Sequence, residues 1–120
     1  GENPFDGINY KVKNTIQKGP VIHIQEDATA IRDSEFYKRR ELKEVHIHEN
    51  IIRIGIRAFG YCTNLTAIYC EPLTPPKVGL MAFQGVPKYA KIYVPKASVD
   101  TYKTANGWKK YADQIVGYDF

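Results

Sequence analysis

The chain has 120 residues, 43% apolar and 25% charged, which bounds it to one domain of ordinary globular composition and excludes a disordered tail, a collagen-like fibre and a disulfide-dense miniprotein. Its net charge is +4, but the one dense basic run, Lys38-Arg39-Arg40, stands beside Glu35, Glu41 and Glu44, which suits a solvated loop better than a nucleic-acid surface. Thirteen Ile and eight Val against four Leu favour strands over a helical bundle, and no apolar run approaches the ~20 residues of a transmembrane helix.

Residues 1–20 read as an N-terminal cap: Ile8-Asn9-Tyr10-Lys11-Val12 alternates with the period of a strand, and Gly19-Pro20 turns the chain. From there to residue 96 the sequence repeats. Phe36, Phe59 and Phe83 lie 23 and 24 residues apart. An aliphatic residue precedes each by five positions (Ile31, Ile54, Val78), and others follow by nine (Val45, Ile68, Ile92) and eleven (Ile47, Cys70, Val94). Projected back one period, Val45 and Ile47 land on Ile22 and Ile24, a fourth strand without its Phe. This period lies in the leucine-rich-repeat range, and Leu42 to Ile52 fits L-x-x-L-x-L-x-x-N-x-L with Val and Ile for Leu. Strands are expected at 21–24, 44–47, 67–70 and 91–94, with Asn50 serving the turn and the Phe column filling the far side of each coil. One coil cannot bury its apolar face alone, so stacked coils share a core. Residues 97–120 read as a C-terminal helical cap. Ser98 would N-cap a helix with a Val99, Tyr102, Ala105 stripe ended by Asn106-Gly107, and Trp108, Tyr111, Ala112 and Ile115 would form a second stripe over 108–116.

The run I-x-x-x-A-F-x-x-C-x-x-L-x-x-I, here Ile54 to Ile68 with Ala58, Phe59, Cys62 and Leu65, closely resembles the BspA-like leucine-rich repeats. Asp6-Gly7-Ile8-Asn9-Tyr10-Lys11-Val12 is similar to the segment preceding the repeats in that family. Pro75-Pro76, Ala82-Phe83, Tyr93-Val94-Pro95-Lys96, Ser98, Tyr102 and Gly107-Trp108 fit its ending. The first coil departs from the pattern, with Glu35 for Ala and Arg39 for Cys, and Ile56 follows the Gly55 turn. The expected fold is an α/β repeat, a short leucine-rich-repeat solenoid: a right-handed coil with a parallel sheet of one short strand per 23–24-residue repeat, an N-terminal strand cap and a C-terminal helical cap. The resemblance implies an exported or cell-surface bacterial protein with a binding or adhesive role, and it carries over no catalytic residue. Gly1-Glu2-Asn3-Pro4 is no export signal, so extracellular or cell-surface localisation presumes one already removed.

Strand alternation sorts the remaining residues onto faces. If Ile22, Val45, Ile68 and Ile92 point inward, then His23, His46, Tyr69 and Tyr93 stack outward, flanked by a column of Gln25, His48, Glu71 and Pro95. The candidate ligand-binding residues are therefore His23, His46, His48, Tyr69, Tyr93 and Glu71. Three readings stay open: a recognition surface for an extracellular protein or glycan, a cross-strand ladder that stiffens a structural or self-assembling element, and, more weakly, a divalent-metal site on His23, His46 and His48. A face of roughly 14 by 13 Å is small against the about 800 Å² per partner of a stable interface, so loops or several copies would have to contribute. Weak homo-oligomers through the solenoid edges are a further expectation.

Cys62 and Cys70 read as small buried hydrophobes with free thiols, since they enter the core from different sides of the coil; a disulfide between them in an oxidising compartment is the alternative. No G-x-S-x-G, H-E-x-x-H, C-x-x-C or phosphate-cradling glycine loop is present, so neither an enzyme nor a cofactor is expected.

Overall fold

Ile22, Val45, Ile68, Ile92 and Ile115 stand opposite one another across five parallel strands, each in register with the next. The computed structural model describes residues 17–120; the expected strand at Ile8–Val12 and most of the 1–20 cap lie outside the described residues. Among the described residues, the chain forms β1 (Val21–His23), β2 (Ala30–Ile31), β3 (Glu44–Ile47), β4 (Arg53–Ile54), β5 (Ala67–Cys70), β6 (Lys77–Val78), β7 (Lys91–Pro95), α1 (Val99–Thr104) and β8 (Ile115–Tyr118). The larger sheet runs β1-β3-β5-β7-β8, and β2-β4-β6 forms a second, three-stranded parallel sheet.

Each coil thus has three sides. On the first, Ile22, Val45, Ile47, Ile68, Cys70, Ile92 and Val94 point inward and are buried, as alternation requires. On the second, Ile31, Ile54 and Val78 align in register. On the third, Phe36, Phe59 and Phe83 stack with centroids 5.2 and 5.5 Å apart and planes within 6°. There, alternate N–H groups donate to the next coil: Ser34, Phe36 and Lys38 to the carbonyls of Ile56, Ala58 and Gly60, and Arg57, Phe59 and Tyr61 to those of Leu80, Ala82 and Gln84. Aiming the donors this way requires left-handed backbone on both sides of each Phe. Ser34, Arg57 and Met81, two residues before it, and Lys38, Tyr61 and Gly85, two after it, all have φ between +55° and +82°. Gly55 lets neighbouring coils close: a Cβ there would lie 2.4 Å from the Asp33 backbone nitrogen.

The C-terminal region differs from expectation after α1. Residues 109–114 form 3-10 turns with an interruption at Tyr111, and 115–118 form a strand where a second helical stripe was expected. Parallel pairing on β7 buries Ile115 in register with Ile92, so it packs on the last coil from a strand that also satisfies the edge of β7, where a helical stripe was expected to cover it. Trp108 still closes the core, 5.8 Å from Phe83, with its Nε1–H donating to the Pro76 carbonyl at 2.8 Å. Ser98 is not a side-chain cap: its hydroxyl donates to the Leu73 carbonyl at 2.7 Å and ties α1 to the preceding coil. At the other end, the Gln17 carboxamide covers the edge of β1 by accepting from the His23 N–H and donating to its carbonyl.

Candidate functional site

In-register parallel pairing places identical strand positions one above another, so the outward column becomes a stack of rings. His23 lies 4.3 Å from His46, His46 4.6 Å from Tyr69, and Tyr69 4.7 Å from Tyr93, with planes 4–14° apart. Such a ladder spends its ring faces on itself. Solvent meets ring edges, phenolic O–H groups and imidazole nitrogens.

Val116 stands opposite Tyr93 at the end of the ladder, and Tyr118, opposite Pro95, lies over it from the flanking column. Tyr118 meets Tyr69 at 5.3 Å and 74°, and Tyr93 at 5.5 Å and 65°. Both faces of Tyr69 are already occupied by His46 and Tyr93, so in its contact with Tyr118 it is the edge of Tyr69 that meets the Tyr118 ring. Phe120 packs on Tyr118 at 4.8 Å, and Asp119 between them pairs with Lys96 at 2.9 Å. The end of β8 and the two residues after it thereby form one wall of a cleft of about 500 Å³, whose floor is His23, His46 and Tyr69.

Five of the six expected residues, His23, His46, His48, Tyr69 and Glu71, line this cleft. Tyr93 is set apart, beneath Tyr118. Glu26, which reads in the sequence as a loop acid of a coil turn, also lines the cleft, as do Tyr118, Asp119 and Phe120, which the sequence did not single out. A helix ending at residue 116 hid the strand that carries the last three, whereas the Ile115-Val116 β-branched pair was the signal available for it.

The histidines are committed differently. The Nε2–H of His46 donates to Glu44 Oε1 at 2.9 Å. His48 accepts from the Asn50 N–H on Nδ1 and donates from Nε2 to the Gln25 carbonyl at 2.8 Å, so both its nitrogens serve the backbone. Asn50 thus serves the turn through its N–H, while its own side chain is exposed. Among the described residues, no three His, Cys, Asp or Glu side chains converge on a metal position, so the weaker metal reading has no geometry to support it. Partial burial, then the Glu44 carboxylate and the Tyr93 and Tyr118 phenols, push the Tyr69 phenol upward, so its tip stays a neutral donor.

Cys62 and Cys70 are free and buried. Burial pushes the Cys62 thiol up to about 11 and the Cys70 thiol to about 12. The Cys62 S–H donates to the Phe36 carbonyl, and Cys70 lies 3.5 Å from the Tyr102 hydroxyl, which itself donates to the Pro72 carbonyl.

A family model described as the BspA type leucine rich repeat region (6 copies) matches residues 14–105. The chain belongs to this family. BspA-type repeats are protein-interaction modules, generally non-catalytic and typically surface-associated. The match covers the three sides of every described coil and α1, and it stops before Trp108 and β8. No curated protein matches the chain. Among the described residues, no helix is long and apolar enough to cross a membrane.

Proposed function

We propose that the protein is a non-catalytic, adhesion-type binding module of an exported or cell-surface bacterial protein, and that it recognises an extracellular protein through the ring ladder and its cleft. The observation that carries this is the coincidence of the ladder with a walled concavity: His23, His46 and Tyr69 form the floor, and Tyr118 and Phe120 stand beside it. A glycan is the less favoured ligand, because the ladder has buried its ring faces in its own stack and leaves only Tyr118 and Phe120, at one wall, for a sugar ring. Five strands spaced ~4.8 Å apart widen the sheet face to roughly 19 Å, still short of the area of a stable interface, so the tail and turns share in the contact.

The test is a binding array of extracellular-matrix proteins and glycans at physiological salt, probed with the wild type and with His46→Ala/Tyr69→Ala. Protein hits lost in the variant support the assignment; glycan hits lost in the same way would replace the protein ligand by a glycan. A second reading, a self-assembling spacer, draws on β8 standing as the last strand of its sheet. A blank array together with concentration-dependent association in sedimentation would establish that reading instead.

A further inference from the structure

The cleft differs in charge from the rest of the molecule. The chain carries +4, yet among the described residues three carboxylates, Glu26, Glu71 and Asp119, and no Lys or Arg line the cleft. Asp119 is held by Lys96, whereas Glu26 and Glu71 meet no cation among the described ion pairs. Glu44, on the same sheet face, is engaged by His46. The wall adds two aromatic rings that are not stacked into the ladder, Tyr118 at 41% and Phe120 at 49% exposure.

Carboxylates beside accessible aromatic rings favour a cation over an anion or an apolar group. A cation gains Coulomb attraction from the acids and quadrupole attraction from the rings, while an anion is repelled and a neutral apolar group leaves the acids unpaired. A cleft of about 500 Å³ has room for one long side chain and its backbone, but not for a folded surface.

Resting on the binding role assigned to this face, we propose that the cleft receives a lysine or arginine side chain presented by an extended segment of the partner protein. Glu26 and Glu71 supply the counter-charge, and Tyr118 with Phe120 forms the aromatic wall. The aliphatic stem of such a side chain lies along the rings, and its charged head reaches the carboxylates. Selectivity for a basic partner then comes from the cleft, while the small sheet face sets position.

The experiment is NMR titration of the described chain with acetylated, amidated Gly-Gly-X-Gly-Gly peptides in which X is Lys, Arg, norleucine or Glu, with a neutral tetrasaccharide as a fifth probe. Lys and Arg peptides are expected to shift the resonances of His46, Tyr69, Glu71 and Tyr118 saturably, at least fivefold more tightly than norleucine and with affinity falling as salt rises. Glu26→Gln/Glu71→Gln is expected to weaken them at least fivefold; Glu49→Gln, outside the cleft, is expected to change nothing. Equal binding of norleucine, tetrasaccharide shifts at these residues without Lys shifts, or the same shifts on simply concentrating the protein would overturn the proposal. The array separates its failure from that of the binding role. Hits lost in His46→Ala/Tyr69→Ala but kept in Glu26→Gln/Glu71→Gln refute only the cationic side chain, whereas hits kept in both refute the face as well.

Discussion

Tyr118 lies across the edge of Tyr69 with ring centroids 5.3 Å apart and planes 74° apart, so a side chain of the last strand reaches back over the ladder begun by the first. The same ring covers Tyr93 and carries Phe120. Three edge or tilted contacts, each worth about 0.5–1.5 kcal/mol when fully formed, make Tyr118 a fixed wall of the cleft. Tyr118→Ala is expected to lower stability by about 1–2 kcal/mol and to uncover Tyr93. Chemical denaturation followed by the fluorescence of Trp108 would measure the first effect, and radical labelling of Tyr93 the second. Unchanged labelling of Tyr93 would mean that the tail does not rest on the ladder in solution.

Gly55 tests how tightly the coils stack. A methyl group there would meet the Asp33 backbone nitrogen at 2.4 Å and the Arg32 carbonyl carbon at 2.6 Å, neither of which can turn away. Gly55→Ala is expected to cost about 3 kcal/mol, the upper end for overpacking. Gly19, with φ of +95° and no atom of the described residues within 4 Å of an added Cβ, isolates the conformational part, so Gly19→Ala is expected to cost about 1 kcal/mol. Similar losses at the two positions, in the same denaturation assay, would contradict the close approach of coils at Gly55.

Left-handed backbone beside the Phe column makes a second class of sites sensitive. Arg57 has φ of +55° and is exposed, so its substitutions read conformation more than packing. Arg57→Gly is expected to be neutral or to stabilise by up to about 1 kcal/mol, and Arg57→Val to destabilise by about 1–2 kcal/mol. The difference between the two melting temperatures decides; a Val variant as stable as the Gly variant would exclude left-handed backbone at that position.

Much of this fold was legible because repetition reports on packing. Columns such as Ile22, Val45, Ile68, Ile92 recur only if each coil faces the same core, and alternation then fixed which rings point outward. Three features were not legible. The six left-handed positions flanking the Phe residues are filled by Ser, Lys, Arg, Tyr, Met and Gly, and the register between coils, not residue type, forces their backbone. The second sheet was invisible because its two-residue strands are too short to alternate. The tail at 115–118 was read by helical spacing, although Ile115 is buried by pairing with β7. Tyr118, Asp119 and Phe120, three of the residues lining the candidate cleft, stand at the end of that strand or just after it, so the sequence exposed the floor of the cleft and concealed its wall.

The two thiols predict behaviour at high pH. Burial raises both, to about 11 and about 12 against 9.0 when exposed, so folding favours their protonated forms. The contribution is complete below about pH 9 and is lost as pH rises through the folded values; the buried Tyr102 phenol, also raised by burial, adds in the same sense. Melting temperature should therefore fall steadily from pH 9 upward, and less steeply in Cys62→Ala/Cys70→Val. At pH 8 neither thiol should react with a disulfide reagent until denaturant is added. Rapid labelling of the native protein would show that the core is open.

Hydroxyl-radical footprinting of the free protein against its complex with the strongest array partner addresses the central claim most directly, because similar side chains stand on both sides of the solenoid. Protection confined to His23, His46, Tyr69, Tyr118 and Phe120 is the predicted result. Protection of Tyr37, Tyr61 and Tyr89, exposed on the turns that follow the Phe column, with the ladder left unchanged, would place binding on the opposite side and contradict it.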